Sequence, residues 1–210
     1  MFIQQLWRYP IKSMAGERIG HARISTLGID GDRSVLVVRG DRIISSRTHP
    51  QLLGLHGTLS DDGVARIDRE PWDSPEALAG VQRAVGWDAR LLRYEGEERF
   101  DVLPLLVATD GAIAHQAIDG RRLRPNIIVG GVEGLAERTW PGRRLRIGEV
   151  VLEPAQLRGR CIMTTYDPDT LVQDVNVLRR IGRELDGSMA LDTAVAKGGM
   201  IHEGDAVEFL

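Results

Sequence analysis

Short apolar runs, separated at close intervals by turn residues, constrain the fold of this chain more than any other feature. Residues 2–9 alternate loosely through Phe2, Ile3, Leu6, Trp7 and Tyr9 and predict an opening strand, which Pro10 limits. His21 to Leu27 predicts a second strand. Gly28-Ile29-Asp30-Gly31-Asp32 is a turn-rich break; the β-branched run Ser34 to Val38 follows it, and Gly40-Asp41 reverses the chain toward Arg42–Ser45 as a hairpin. Leu52–Leu59 and Val64–Ile67 predict two strands about the turn Ser60–Gly63. Ala89–Tyr94, Leu103–Ala108, Ile127–Val129, two short strands around Gly148 and Met189–Val195 continue the series. Helical signals are few. Ser74 caps a short helix with Pro75 at its first position, running through Leu78; Thr109-Asp110 opens a helix over Gly111–Ile118; Val177, Leu178, Ile181 and Leu185 recur at helical spacing in Asn176–Leu185. The pattern predicts a mainly β, α+β chain built as a barrel or sandwich with a few helices. The acidic turn ending at Glu98 is the best internal boundary. It separates a β-rich lobe, residues 1–98, from residues 99–210, and it is no flexible linker, so the two lobes are expected to pack together.

The totals exclude several classes of function. With 210 residues the chain can bury a sizeable core. A formal net charge of −3 argues against a nucleic-acid coat or a polybasic membrane patch. No apolar run approaches the length of a membrane span, and the first residues lack a signal-peptide layout. One cysteine rules out an internal disulfide and a self-contained four-cysteine iron–sulfur cluster, and no G-x-G-x-x-G nucleotide fingerprint is present. A lone thiol fits a reducing compartment. The expectation is a soluble, cytoplasmic protein with no nucleic-acid or membrane partner.

That cysteine, Cys161, lies in the stretch Arg158-Gly159-Arg160-Cys161-Ile162-Met163-Thr164-Thr165-Tyr166-Asp167-Pro168-Asp169-Thr170. Most cysteines are small buried hydrophobes, but neighbouring guanidinium charge favours the thiolate, the form that attacks electrophiles and binds soft metals. From the residues alone the inert and the functional sulfur stand level. Other segments are equally open. Lys12-Ser13 reads as a solvated turn or as an anion contact. Arg33 sits at a strand mouth. Ser45 to Pro50, with Arg47 and His49, is a polar loop or the lining of a site; His49 has no second ligand near it in sequence, so no zinc site is expected. Thr109 and Asp110 are good N-caps, and the amides of a helix start also suit an anion. Arg124-Pro125-Asn126 is a strand entry.

Arg160-Cys161-x-x-Thr164-Thr165-x-Asp167-Pro168-Asp169-Thr170 resembles the signature of the MOSC domain, named for the C-terminal part of molybdenum cofactor sulfurases. Tyr9-Pro10-Ile11-Lys12-Ser13, Gly31-Asp32-Arg33, Leu123 to Val129 and Gly204-Asp205-x-Val207 agree with it, most nearly in the branch containing the mitochondrial amidoxime-reducing components and their bacterial relatives. One departure is clear: after Thr170 the family usually places glycine, and here Leu171 stands. The resemblance implies a bent β-barrel with a smaller N-terminal lobe against it and a molybdenum–molybdopterin cofactor in the groove between them. It implies Cys161 as metal ligand and catalytic residue, with Lys12, Ser13, Arg33, Arg47, Thr109, Asp110, Arg124, Asn126, Arg160, Thr164 and Thr165 as cofactor contacts. Asp167 would order the metal-side loop or relay protons. The implied reaction is two-electron reduction of a small N-hydroxylated compound, its oxygen released as water, with electrons from an external flavin, haem or ferredoxin-type protein. The rivals are a cofactor carrier and a sulfur-transfer protein using a Cys161 persulfide. Nothing resembles the pyridoxal-phosphate domain of the full sulfurases.

Overall fold

The computed structural model describes all 210 residues. In chain order the first half holds β1 (Phe2–Arg8), β2 (Glu17–Ile19), β3 (His21–Ser25), β4 (Gly28–Ile29), β5 (Val35–Arg39), β6 (Arg42–Ile43), β7 (Gly57–Leu59), β8 (Ala65–Ile67), β9 (Glu70–Pro71), α1 (Pro75–Val85) and β10 (Arg90–Arg93). The second half holds β11 (Leu105–Thr109), α2 (Asp110–Gln116), β12 (Ile127–Gly130), β13 (Leu145–Ile147), β14 (Val150–Gly159), α3 (Val175–Leu185), β15 (Ser188–Lys197), β16 (Gly199–His202) and β17 (Glu208–Phe209). The chain is mainly β with three helices, as expected, and no helix is long and apolar enough to cross a membrane.

Eight strands form one sheet in the order β17-β13-β14-β15-β11-β12-β1-β2. The sheet closes on itself. Phe2 bridges Ala206, Ile3 N–H donates to the Asp205 carbonyl, and Gly204 and Val207 donate back to Ile3 and Met1, so β1 meets the segment that runs into β17. Closure removes the exposed edge that an open sheet would present. The long pair β14–β15 shifts register at three places, and such bulges bend a strand. The result is the strongly bent barrel that the motif implied.

Alternation along β11 and β12 explains the two layers. Leu105, Val107, Ile127 and Val129 point into the barrel core with Ile3, Leu6, Trp140 and Leu152. Leu106, Ala108 and Ile128, one residue out of phase, lie under α2 and α3 with Val177, Ile181 and Leu185. Both faces are buried, which is why these segments read as continuous apolar runs in sequence. The second body packs β5, β8 and α1 around Ile11, Met14, Leu52 and Val81. The division at residue 98 is linear only. In space β1 and β2 belong to the large sheet and β3 pairs with β16, so the first segment of the chain threads through the barrel before the smaller lobe begins.

Local expectations need three corrections. Leu52–Leu59 is not one strand: Pro50 starts a 3₁₀ turn over Pro50–Gly54, and only Gly57–Leu59 is extended. The helix after Ser74 continues to Val85, because Ala77, Val81 and Val85 keep one buried face every four residues. The strand at His21 stops at Ser25, where the Ser25 hydroxyl accepts from Leu27 N–H and turns the chain.

Candidate functional site in the groove between the lobes

β14 delivers the sulfur. Arg160 N–H donates to the Gly187 carbonyl just beyond the strand, and the Cys161 carbonyl then accepts from Thr164 N–H to start a 3₁₀ turn over Ile162–Thr165. Cys161 is therefore fixed at a strand end, half-buried and free. It lies in the wall of a groove of about 370 Å³. The smaller lobe contributes Lys12, Ser13, Arg33 and Arg47; the barrel contributes Arg124, Asn126 and Arg160. Residues from separated segments thus converge with the thiol, as the motifs implied.

Each cation has its own commitments. Lys12 Nζ donates to the Arg99 carbonyl at 2.5 Å and to Asp101 at 2.8 Å; an ammonium has three donors, so one remains. Burial lowers the Lys12 pKa while Asp101 opposes the shift. Arg47 reaches the other Asp101 oxygen at 3.2 Å. Burial would raise the Asp101 carboxyl, but Lys12 and then Arg47 and Arg158 bring it down to about 2. Arg33, with φ 52°, turns back onto the fully buried Asp32 and also reaches Asn126. Asn126 donates to Asp32 at 3.1 Å and accepts from Leu106 N–H at 3.1 Å, and Asp32 accepts from Tyr9 N–H at 2.7 Å. Asp32 and Asn126 therefore lock the Tyr9, Arg33 and Arg124 segments into one corner of the groove.

Arg124 differs. It has φ 58° and stacks 4.4 Å from the centre of the Tyr9 ring, and its Nη2 is buried with no hydrogen-bond partner. Burial lowers its pKa to about 10. The Tyr9 hydroxyl is also buried without a partner, and burial pushes it up to about 12. Gly16 lets this ring lie where it does, because a Cβ there would collide with the Arg8 carbonyl and the ring itself. Arg160 is committed to structure: Nη2 donates to the Leu123 carbonyl at 2.9 Å and Nε to Thr164 Oγ1 at 3.4 Å. Burial lowers its pKa to about 10, and Cys161 is the leading opposing influence.

Four expected contacts, and Asp167, are not among the residues lining the groove. Thr109 caps α2 and donates to the buried Glu137; Asp110 accepts from Gly111, Gly131 and Val132 N–H groups. Both close their own loop, away from the groove. Thr164 and Thr165 are fully buried beneath the turn, where the Thr165 hydroxyl donates to the Ile162 carbonyl. Asp167 lies outside the groove and orders the loop: it accepts from Asp169 N–H and from the Thr170 amide and hydroxyl, and it pairs with Arg122 at 2.9 Å. Leu171 occupies the left-handed region at φ 57°, the conformation for which glycine is suited.

Asp101, Arg122 and Arg158 are among the groove residues that escaped the sequence reading. Asp101 carries no local signal, since it meets Lys12 across 89 positions. Arg122 sits in a basic run whose direction only the 3₁₀ turn Gly120–Leu123 fixes. Arg158 had a visible signal: in a strand it shares a face with Arg160 and stands three residues before the sulfur.

The comparisons agree with this geometry. The MOSC N-terminal beta barrel domain matches residues 1–97 and the MOSC domain matches residues 86–208. Mitochondrial amidoxime reducing component 2 of Bos taurus is 27% identical over 231 residues, covering 82% of this chain and 68% of that protein. Mitochondrial amidoxime-reducing component 1 of Homo sapiens is 24% identical over 227 residues, covering 80% and 67%. Molybdenum cofactor sulfurase of Caenorhabditis briggsae is 24% identical over 219 residues, covering 84% of this chain and 30% of that protein. Among solved structures, the YuaD protein of Bacillus subtilis superposes with a TM-score of 0.55 at 14% identity, covering 98% of this chain and 93% of that one, which shows a shared fold. With its barrel, its groove and a domain match over more than half its length, the chain belongs to the MOSC domain family.

Proposed function

We propose that the groove binds a phosphate-bearing pterin–molybdenum cofactor, with Cys161 as the metal ligand, and that the protein reduces small N-hydroxylated compounds with electrons from a separate redox protein. Family membership supports a molybdenum-cofactor-associated function; the particular reaction is our own reading. One observation carries it: the only thiol of the chain shares a groove with Arg124, whose buried Nη2 has no partner. A buried guanidinium nitrogen left unpaired is costly, and a ligand phosphate would satisfy it.

The donor set fits such a group. Cys161 offers the soft sulfur that molybdenum accepts. Arg124 and the third donor of Lys12 would hold the phosphate, with Ser13 beside them in the groove lining. Arg33 and Asn126 are held by Asp32 and keep that corner rigid. Asp167 and Arg122 brace the loop behind the sulfur. When bound, the cofactor supplies two-electron reduction of the N–O bond, and the protein positions it and sets its surroundings.

The test uses gently purified protein. About one molybdenum per chain is expected, with turnover of an N-hydroxylated compound when an artificial low-potential donor is supplied and none with NADH or NADPH alone. Arg124→Ala should lower molybdenum and pterin per chain more than it lowers Tm, since it removes a charge-assisted contact of about 1.5–3 kcal/mol. Direct oxidation of NAD(P)H by the isolated chain would contradict the external donor. Full loading without turnover by either donor would identify a cofactor carrier.

A further inference from the structure

The cations of the groove are not equivalent. Lys12 and Arg47 share Asp101, Arg33 is held by Asp32, Arg122 by Asp167, and Arg160 by Leu123 and Thr164. Arg124 lies against Tyr9, on the side of the groove formed with the smaller lobe. That leaves Arg158, on the strand that delivers Cys161. Its only protein partner is Asp192 of β15: Nε lies 2.7 Å from Asp192 Oδ1, in charge contact but without the alignment of a hydrogen bond, so both atoms stay unpartnered as donor and acceptor. Asp192 is fully buried in the sheet between β14 and β11 and takes one further hydrogen bond, from Gln156 at 3.3 Å. The carboxylate thus sits at the Nε edge of the guanidinium. Neither terminal nitrogen makes a hydrogen bond within the chain, and Arg158 lines the groove.

We infer that Arg158, oriented by Asp192, recognises a carboxylate on the substrate, so that the preferred substrates are N-hydroxylated organic acids. The inference rests on the function proposed above. Two parallel N–H donors match the two oxygens of a carboxylate, where a lysine would offer only a point charge. An oxyanion at this fork could also belong to the cofactor phosphate. The substrate is favoured because Arg124 and Lys12 would serve the phosphate, while Arg158 stands on the strand that presents the sulfur. Asp192 touches no ligand; it is a positioning residue acting through Arg158.

Benzoate is the probe that needs no turnover. Titration calorimetry of the purified, metal-loaded protein should show binding that weakens at least tenfold in Arg158→Gln, with a smaller loss in Arg158→Lys and in Asp192→Asn. The reductive assay then compares an N-hydroxylated benzamidine with its ring-carboxylated analogue. At matched molybdenum per chain, wild type should favour the carboxylated compound about tenfold or more in kcat/KM. Arg158→Gln should abolish that ratio through KM, and Arg158→Lys should restore part of it. A wild type that does not bind benzoate, or an unchanged ratio in Arg158→Gln, overturns the inference. So does loss of molybdenum from Arg158→Gln, which would assign the fork to the cofactor phosphate. If wild type holds no molybdenum or reduces neither compound, the proposed reductase fails instead, and benzoate binding alone decides whether the carboxylate fork stands.

Discussion

Asp101 shows how so cationic a groove limits its own repulsion. Its two oxygens hold Lys12 and Arg47, and the pairing is written into its acidity. Its carboxyl titrates near 2 in the folded chain against 3.8 for an ordinary aspartate. A depressed folded pKa contributes stability that is fully present above the unfolded value and is lost as pH falls through the folded one. The window for Asp101 therefore runs from about pH 4 down to about pH 2. Asp101→Asn should lower Tm at pH 5, and the gap from wild type should shrink as pH approaches 2. Parallel Tm curves across that window would contradict the pairing. Nothing in the sequence marked Asp101, because its partners come from a turn and a loop far away in the chain. Cys161 was legible for the opposite reason: its arginines, threonines and aspartates are its neighbours in sequence. Even there, the commitments of the two arginines were not legible: Arg160 donates to Leu123 and Thr164, while Arg158 pairs with Asp192.

At the scale of elements, the loop after the 3₁₀ turn Ile162–Thr165 is the most informative. Asp167 folds it by accepting from Asp169 and Thr170, and Leu171 then takes a left-handed backbone, the conformation for which glycine is suited. A Cβ in that region costs about 1–2 kcal/mol. The Leu171 side chain packs over Gly54 in the 3₁₀ turn of the smaller lobe, a contact that compensates part of the strain. Two variants separate these effects. Leu171→Ala loses the contact and keeps the strain; Leu171→Gly loses both. The glycine variant should be more stable than the alanine variant by about 1 kcal/mol in urea unfolding. The reverse order would show that the loop relaxes out of the left-handed conformation. Elements with a local code were legible: Ser74 caps the helix that follows it, the spacing of Val177, Ile181 and Leu185 marked the third helix, and the buried alternation of β11 and β12 showed as apolar runs. Leu52–Leu59 was not, because a proline-started 3₁₀ turn and a strand carry the same apolar residues.

The whole molecule depends on joining distant segments. The barrel closes only when the first strand meets the segment before the last, and the groove exists only because Asp32 and Asn126 bind the Tyr9, Arg33 and Arg124 segments together. A family signature can imply this arrangement, but no local pattern specifies pairings of such sequence separation. Asp32→Ala would leave the Arg33 guanidinium, the Asn126 amide and the Tyr9 N–H without their shared acceptor. It should destabilise the protein by about 3 kcal/mol or more in denaturant unfolding. A loss below about 1 kcal/mol would show that the lobes hold together without this junction. The central claim, that the lone sulfur in this interlobe groove ligates molybdenum, is tested most directly by X-ray absorption at the molybdenum edge on wild type and Cys161→Ser. The account predicts about one molybdenum per wild-type chain, and one sulfur fewer in the metal's coordination shell for whatever molybdenum the serine variant retains, with the fold unchanged. An identical sulfur count in the two proteins would contradict it.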